Sequence, residues 1–263
     1  MKKNVIIVIS AAVAAILMIA VIYIMLEISR DDVDTPILDE TTIDEVTSFE
    51  ETTLPPVQTE PVTIMDFVSK KDFSAMKELY PHAYAWIEIP GTNIDYPIIQ
   101  HPLDDNYYLR RDEMGNYSVN GCIFSEHLYN TTDFTDPVTL IYGHYVYEAD
   151  GYKYFGGLQT MYRGDLEQYK EIVIYHPDKE LHYEVFAAVP YNQYHILWGE
   201  DYTKAENFNS FIDGIKNIKA FDATINKDCE VTPEDKVIVL STCYNGRDTA
   251  RFLVVAKLVE TIE

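Results

Sequence analysis

The chain has 263 residues, with 43 Asp and Glu against 20 Lys and Arg for a formal charge of -23. That balance excludes a basic nucleic-acid footprint. Three scattered cysteines, Cys122, Cys229 and Cys243, exclude both a disulfide framework and a cysteine-rich zinc site, although one pair, Cys122 with Cys229, stays open on spacing alone.

Lys2 and Lys3 precede an apolar run from Val5 to Leu26, long enough for a helix to cross a bilayer. Its small residues, Ala11-Ala12 and Ala14-Ala15, lie in mid-run rather than at a cleavage site, so an uncleaved anchor is expected. Basic residues before the span and acidic ones after it place the N-terminus in the cytoplasm and the rest outside. The expectation is a single-pass protein of the cell membrane, with residues 1–26 as stub and anchor.

Residues 27–64 carry eleven acids, from Glu27 to Glu60, against the single base Arg30, with several prolines and no glycine. Such a self-repelling segment without periodicity is expected to be a disordered extracellular tether. Residues 65–263 are then the folded domain.

Within that domain, Phe67, Phe73, Met76 and Leu79 recur at near-helical spacing over Asp66–Tyr80, and Pro81 ends the pattern. Trp86 to Ile99 reads as strand, turn, strand around Pro90-Gly91-Thr92-Asn93. Short strands follow at Asn120–Phe124 and Val138–Tyr142, and Glu171–Tyr175 and Leu181–Val189 flank Pro177-Asp178 as a hairpin. Phe208, Phe211, Ile212, Ile215 and Ile218 mark an amphipathic helix of about four turns within Tyr202–Phe221. Last come two apolar β-branched runs, Val237–Leu240 and Phe252–Ala256, around Asn245-Gly246. Many short strands with turn signals indicate a mostly β domain, a barrel or sandwich with added helices.

If the last turn centres near Arg247, Cys243 and Arg251 fall opposite each other at the sheet rim. A thiol beside a guanidinium suits attack on a carbonyl, the cation donating to the developing oxyanion. A strand-end cysteine is usually core filler and a strand-opening arginine usually an edge residue; the exact string decides here. Leu240-Ser241-Thr242-Cys243, followed by Arg251-Phe252-Leu253-Val254-Val255, resembles the signature of sortases, the cysteine transpeptidases of Gram-positive cell surfaces. Val239 stands where that family's motif opens with Thr.

The resemblance extends over nearly all of residues 85–260. It includes Trp86-Ile87 through Tyr96-Pro97-Ile98-Ile99, Asn106-Tyr107-Tyr108-Leu109, Gly121-Cys122-Ile123-Phe124 and Phe155-Gly156-Gly157-Leu158. Tyr142-Gly143-His144 is similar to the string that carries the family's catalytic histidine, whereas His127, His176, His182 and His195 have no such context and read as structural. A long helix ahead of the Cys-bearing strand resembles class B rather than the calcium-stimulated class A.

The resemblance implies a closed sortase-type β-barrel of about eight strands, with an N-terminal helix and a long helix before the Cys-bearing strand. It implies a catalytic set of His144, Cys243 and Arg251, with Ser241 and Thr242 lining the groove. Implied partners are secreted proteins bearing a C-terminal sorting signal and a peptidoglycan amine acceptor. No metal or cofactor is implied; Asp104, Asp105 and Glu148 read as solvated acids, their spacing fitting no calcium loop. A pilus-polymerising sortase, in which the amine is a subunit lysine, and a catalytically idle sortase-fold binding domain are the competing readings.

Overall fold

The computed structural model describes residues 72–263. The apolar run 5–26, the acidic segment 27–64 and the first part of the expected N-terminal helix lie outside the described residues. What is described of that helix is α1 (Phe73–Leu79), capped by Asp72, whose Oδ1 accepts from the Ala75 N–H at 3.1 Å.

The sheet is built from β1 (Ala83–Glu88), β2 (Asp95–Ile99), β3 (Val138–Tyr142), β6 (Glu171–His176), β7 (Lys179–Asn192), β8 (Thr224–Ile225), β9 (Val237–Tyr244) and β10 (Arg247–Ile262). Its spatial order is β2-β1-β6-β7-β10-β9-β3, with β8 pairing β7 at one side. Neighbours run antiparallel except β3 and β9, which are parallel. A separate hairpin, β4 (Tyr145–Glu148) with β5 (Gly151–Tyr154), follows β3 directly.

The long β7–β10 pairing carries two register shifts, between Val255 and Ala256 and between Leu258 and Glu260. Bulges of this kind increase local twist and let a long sheet curl. The edge strands β2 and β3 do not pair with each other. They are joined through Phe124, which bridges Ile99 on one side and Tyr142 on the other. The Phe124 N–H donates to the Tyr142 carbonyl at 3.0 Å, and the Tyr142 N–H returns a bond at 2.8 Å. This link stands where a strand over Asn120–Phe124 was expected. Gly121 has φ +57°, which turns the chain out of extension, so only the end of that segment pairs.

The run Phe252–Ala256 within β10 is apolar without interruption because both of its faces are covered. Phe252, Val254 and Ala256 pack with Ile87, Ile174, Ile238 and Leu240 in the barrel interior. Leu253 and Val255 pack with Val239, Phe186 and the helix α3 (Ala205–Lys216) on the other face. That helix presents Phe208, Phe211, Ile212 and Ile215 to the sheet. It is shorter than the expected four turns. Asn217 ends it by donating Nδ2 to the Asp213 carbonyl at 2.8 Å, and Ile218 continues the apolar face from outside the helix. A third cluster joins Phe73 and Met76 of α1 to Trp86, Ile99, Cys122 and Phe124. Between β5 and β6 a short helix, α2 (Leu158–Met161), sits on Phe155, Leu158 and Tyr162, all fully buried.

Candidate active site

Strand register brings the chemistry together. β9 and β10 pair Cys243 with Arg251 directly, just past a register shift between Arg247 and Arg251. β3 and β9 pair Val138 with Val237 through Tyr142 with Ser241 at a constant offset. The Gly143 N–H then donates to the Ser241 carbonyl at 3.0 Å. His144 thus follows the end of β3, beside the β9 and β10 strands that carry the thiol and the guanidinium.

Alternation decides which face they share. Cys243 and Arg251 follow the parity of Val239 and Leu253, which face α3 rather than the barrel interior. Here the cleft forms, with a volume of about 230 Å³; His144, Cys243, Arg251, Ser241 and Thr242 all line it. Ser241 shares the parity of Cys243. Thr242 has the opposite parity and is 2 % exposed, and its buried Oγ1 has no hydrogen-bond partner among the described residues. Both expected groove residues are buried and line the cleft; by alternation Ser241 shares the face of Cys243 and Thr242 the opposite face.

Arg251 Nη1 lies 4.0 Å from Cys243 Sγ and also donates to the Ala250 carbonyl at 3.2 Å. Cys243 is half-buried. The other thiols differ. Cys122 is fully buried, and burial pushes its pKa far up; Cys229 is raised by partial burial against the pull of Lys216 and Lys257. All three are free thiols, so the Cys122–Cys229 pairing does not form.

His144 Nε2 lies 2.9 Å from the Leu109 carbonyl. A carbonyl only accepts, so Nε2 carries the proton and the neutral ring keeps its lone pair on Nδ1. Burial lowers the His144 pKa below the ordinary 6.5; the Leu109 bond opposes this, and the charges of Arg110 and Arg251 add to the lowering. The ring rests on Gly121. A Cβ there would come within 2.8 Å of His144 Cδ2 and of the Tyr108 carbonyl oxygen. Gly143 is equally constrained: a Cβ would stand 2.5 Å from Phe155 Cδ2.

The cleft also has walls that the sequence did not single out. Glu126 Oε2 accepts from His195 Nε2 at 2.5 Å and from the Tyr142 hydroxyl at 3.3 Å. His195 Nδ1 accepts the Leu197 N–H at 3.1 Å, which fixes the tautomer that donates to Glu126. Glu126, Tyr142 and His195 all line the cleft; His195, read from sequence as structural, does so while holding the carboxylate. No local motif marks these residues, which meet only through folding. Asp105 lines the cleft too, with Oδ1 engaged by the His127 N–H at 2.7 Å and by Nδ1 at 2.6 Å.

A curled β-sheet that gathers a thiol, an imidazole and a guanidinium at neighbouring strand ends is the arrangement of a β-barrel cysteine transpeptidase. Comparison with known proteins agrees: the sortase domain family matches residues 87–259, and the chain belongs to the sortase family. It is 27% identical over 195 residues to sortase B of Listeria monocytogenes, covering 70% of this chain and 72% of that one. Among solved structures, sortase B from B. anthracis in complex with AAEK2 superposes with a TM-score of 0.61 at 26% identity, over 72% of this chain and 82% of that one. The Staphylococcus aureus sortase B–substrate complex gives 0.61 at 25% identity, over 73% and 86%. Class B is the branch that these relatives represent.

Proposed function

We propose that this transpeptidase cleaves a C-terminal sorting signal after its threonine and transfers the protein so released to a peptidoglycan amine. The observation that carries the proposal is the cross-strand pairing of Cys243 with Arg251 in a cleft shared with His144. The Cys243 thiol gives its proton to His144 Nδ1 as the sulfur attacks the threonine carbonyl. The tetrahedral oxyanion takes hydrogen bonds from Arg251. His144 delivers a proton to the departing amine, leaving a thioester on Cys243. An incoming amine attacks the thioester and gives a proton to the imidazole, which passes it to the departing Cys243 sulfur. With Nε2–H held by the Leu109 carbonyl, Nδ1 is the atom that exchanges the proton.

The extended signal lies along the cleft, with Ser241 beside its backbone and the Tyr142–Glu126–His195 wall beyond. That a relative of the same fold, Staphylococcus aureus sortase B, forms a substrate complex supports a substrate-binding role for this fold. Residues 5–26 hold the enzyme in the cell membrane with its N-terminus cytoplasmic, and residues 27–64 carry the domain, residues 65–263, outward toward the wall.

The deciding experiment is an intact-mass spectrum of the detergent-solubilised full chain after incubation with a panel of sorting-signal peptides. An adduct equal to the N-terminal part of one peptide, lost on hydroxylamine treatment and missing in Cys243→Ala, is expected. Absence of any adduct on folded protein would turn the reading toward a binding domain.

A further inference from the structure

The segment that ends in Cys243 leaves the protection of the sheet at a demanding place. After the Cys243–Arg251 pair the ladder shifts register, Asn245 turns left-handed at φ +49° and Gly246 at +69°, and both are exposed. An exposed two-residue turn beyond a bulge is ordinarily among the more mobile parts of a sheet. Asp222 accepts from the Tyr244 hydroxyl at 2.6 Å, and the backbone on either side of Tyr244 is held by a side chain from outside the sheet. Gln159, on α2, donates Nε2–H to the Cys243 carbonyl at 3.1 Å, and its Oε1 accepts the Asn245 N–H at 3.1 Å. A carbonyl must accept and a backbone N–H must donate, so the two contacts fix the orientation of the amide.

The base of this clamp is rigid. Leu158 and Phe155 are fully buried in the barrel core. The Tyr162 hydroxyl donates to the Tyr169 carbonyl at 2.7 Å, and the Tyr162 carbonyl accepts from Thr224 Oγ1 at 2.7 Å. Gly156 lies so close to β4 that a Cβ would meet the Val146 carbonyl oxygen at 2.3 Å. A half-buried glutamine on such a platform satisfies the backbone groups on either side of Tyr244, one of them belonging to the reacting cysteine.

We propose that Gln159 is a positioning residue for the nucleophile: its amide clamps the Cys243 carbonyl and the Asn245 N–H and so holds the thiol at its place beside Arg251. The proposal rests on Cys243 being the nucleophile. Displacements of about 1 Å at a reacting atom cost up to about a hundredfold in rate, whereas binding of an extended peptide along the cleft depends little on the turn.

The test uses two variants of the full chain. Gln159→Met keeps the size of the side chain and loses both bonds; Gln159→Glu keeps the acceptor and loses the donor to the Cys243 carbonyl. Both are expected to lower kcat about tenfold or more, with KM within about threefold. Cys243 alkylation by iodoacetamide, followed by peptide mapping, is expected to slow in both as the thiol leaves the guanidinium. Wild-type kcat and alkylation rate in Gln159→Met, a loss confined to KM or to the melting temperature, or wild-type behaviour in Gln159→Glu would overturn the proposal. If the unmodified chain forms no thioester with any peptide, the transpeptidase reading fails. The alkylation comparison, which needs only the thiol, still decides the clamp.

Discussion

Arg251 faces Cys243 across a single rung of the β9–β10 ladder, with Nη1 4.0 Å from Sγ. In the proposed mechanism, this pairing lets the guanidinium donate to the oxyanion that develops during attack. Arg251→Ala is expected to reduce kcat/KM by about a hundredfold to a thousandfold, mostly through kcat. Arg251→Lys recovers only part, because an ammonium lacks the planar fork. Steady-state kinetics on the peptide that forms the thioester checks both.

His144 has a folded pKa below its ordinary 6.5, chiefly through burial. The group is neutral in both folded and unfolded chains above 6.5, so its full contribution to stability is present there. As pH falls below 6.5 the unfolded chain takes up the proton first, and stability is lost until the pH passes the depressed folded value. The denaturation midpoint of the wild type is therefore expected to drop more between pH 7.5 and 5.5 than that of His144→Gln. Equal drops in the two proteins would contradict the assignment.

Gly121 combines φ +57° with a Cβ position only 2.8 Å from the His144 ring. Gly121→Ala meets both left-handed backbone strain and a push on the imidazole. A loss of about 1–3 kcal/mol in unfolding free energy is expected, together with a fall in kcat as His144 leaves the Leu109 carbonyl. Urea melts and single-turnover acylation measure the two effects separately.

Glu126 is held in the cleft wall by His195 and Tyr142, on the part of the cleft formed by elements other than β9 and β10. Glu126→Gln keeps the size of the side chain and weakens charge-assisted bonds. Its KM for the signal peptide is expected to rise about tenfold, in line with the loss of a hydrogen bond to a charged group, with kcat changing less. A variant that loses kcat at constant KM would place Glu126 in the chemistry instead.

Cys122 is buried against α1 with its thiol pKa pushed far up. Iodoacetamide at pH 8 is expected to label Cys243 in the folded protein and leave Cys122 untouched until denaturant is added. Mapping of labelled peptides checks this and supplies the internal control for the Gln159 variants.

Much of the β9–β10 unit was legible because its signals are local. Two apolar runs around Asn245-Gly246 mark a hairpin, but the turn pairs Tyr244 with Arg247, not a centre at Arg247 as expected, and Arg251 comes opposite Cys243 only through the register shift that follows. The β6–β7 hairpin around Pro177-Asp178 was legible on the same ground. The helix at Ala205–Lys216 was legible in its apolar face but not in its length, because Asn217 closes it while Ile218 still points to the core. The segment ending at Phe124 read as a strand from its apolar residues. It pairs only at its tip because Gly121 departs from extended geometry to make room for His144.

By itself the sequence determined which thiol, imidazole and guanidinium are available and, through the Asn-Gly turn, that two of them lie on adjacent strands. Those properties depend on residues close in the chain. Only the tertiary structure decided the rest. The parallel pairing of β3 with β9 brings His144 into the cleft of Cys243 from about a hundred residues away. The Leu109 carbonyl chooses its tautomer, Glu126 and His195 meet in the cleft wall, and Gln159 reaches the turn from a helix that no spacing rule connects to Cys243. Each of these depends on backbone groups and register far apart in sequence, and such pairings are settled only when the sheet curls and both of its faces are packed.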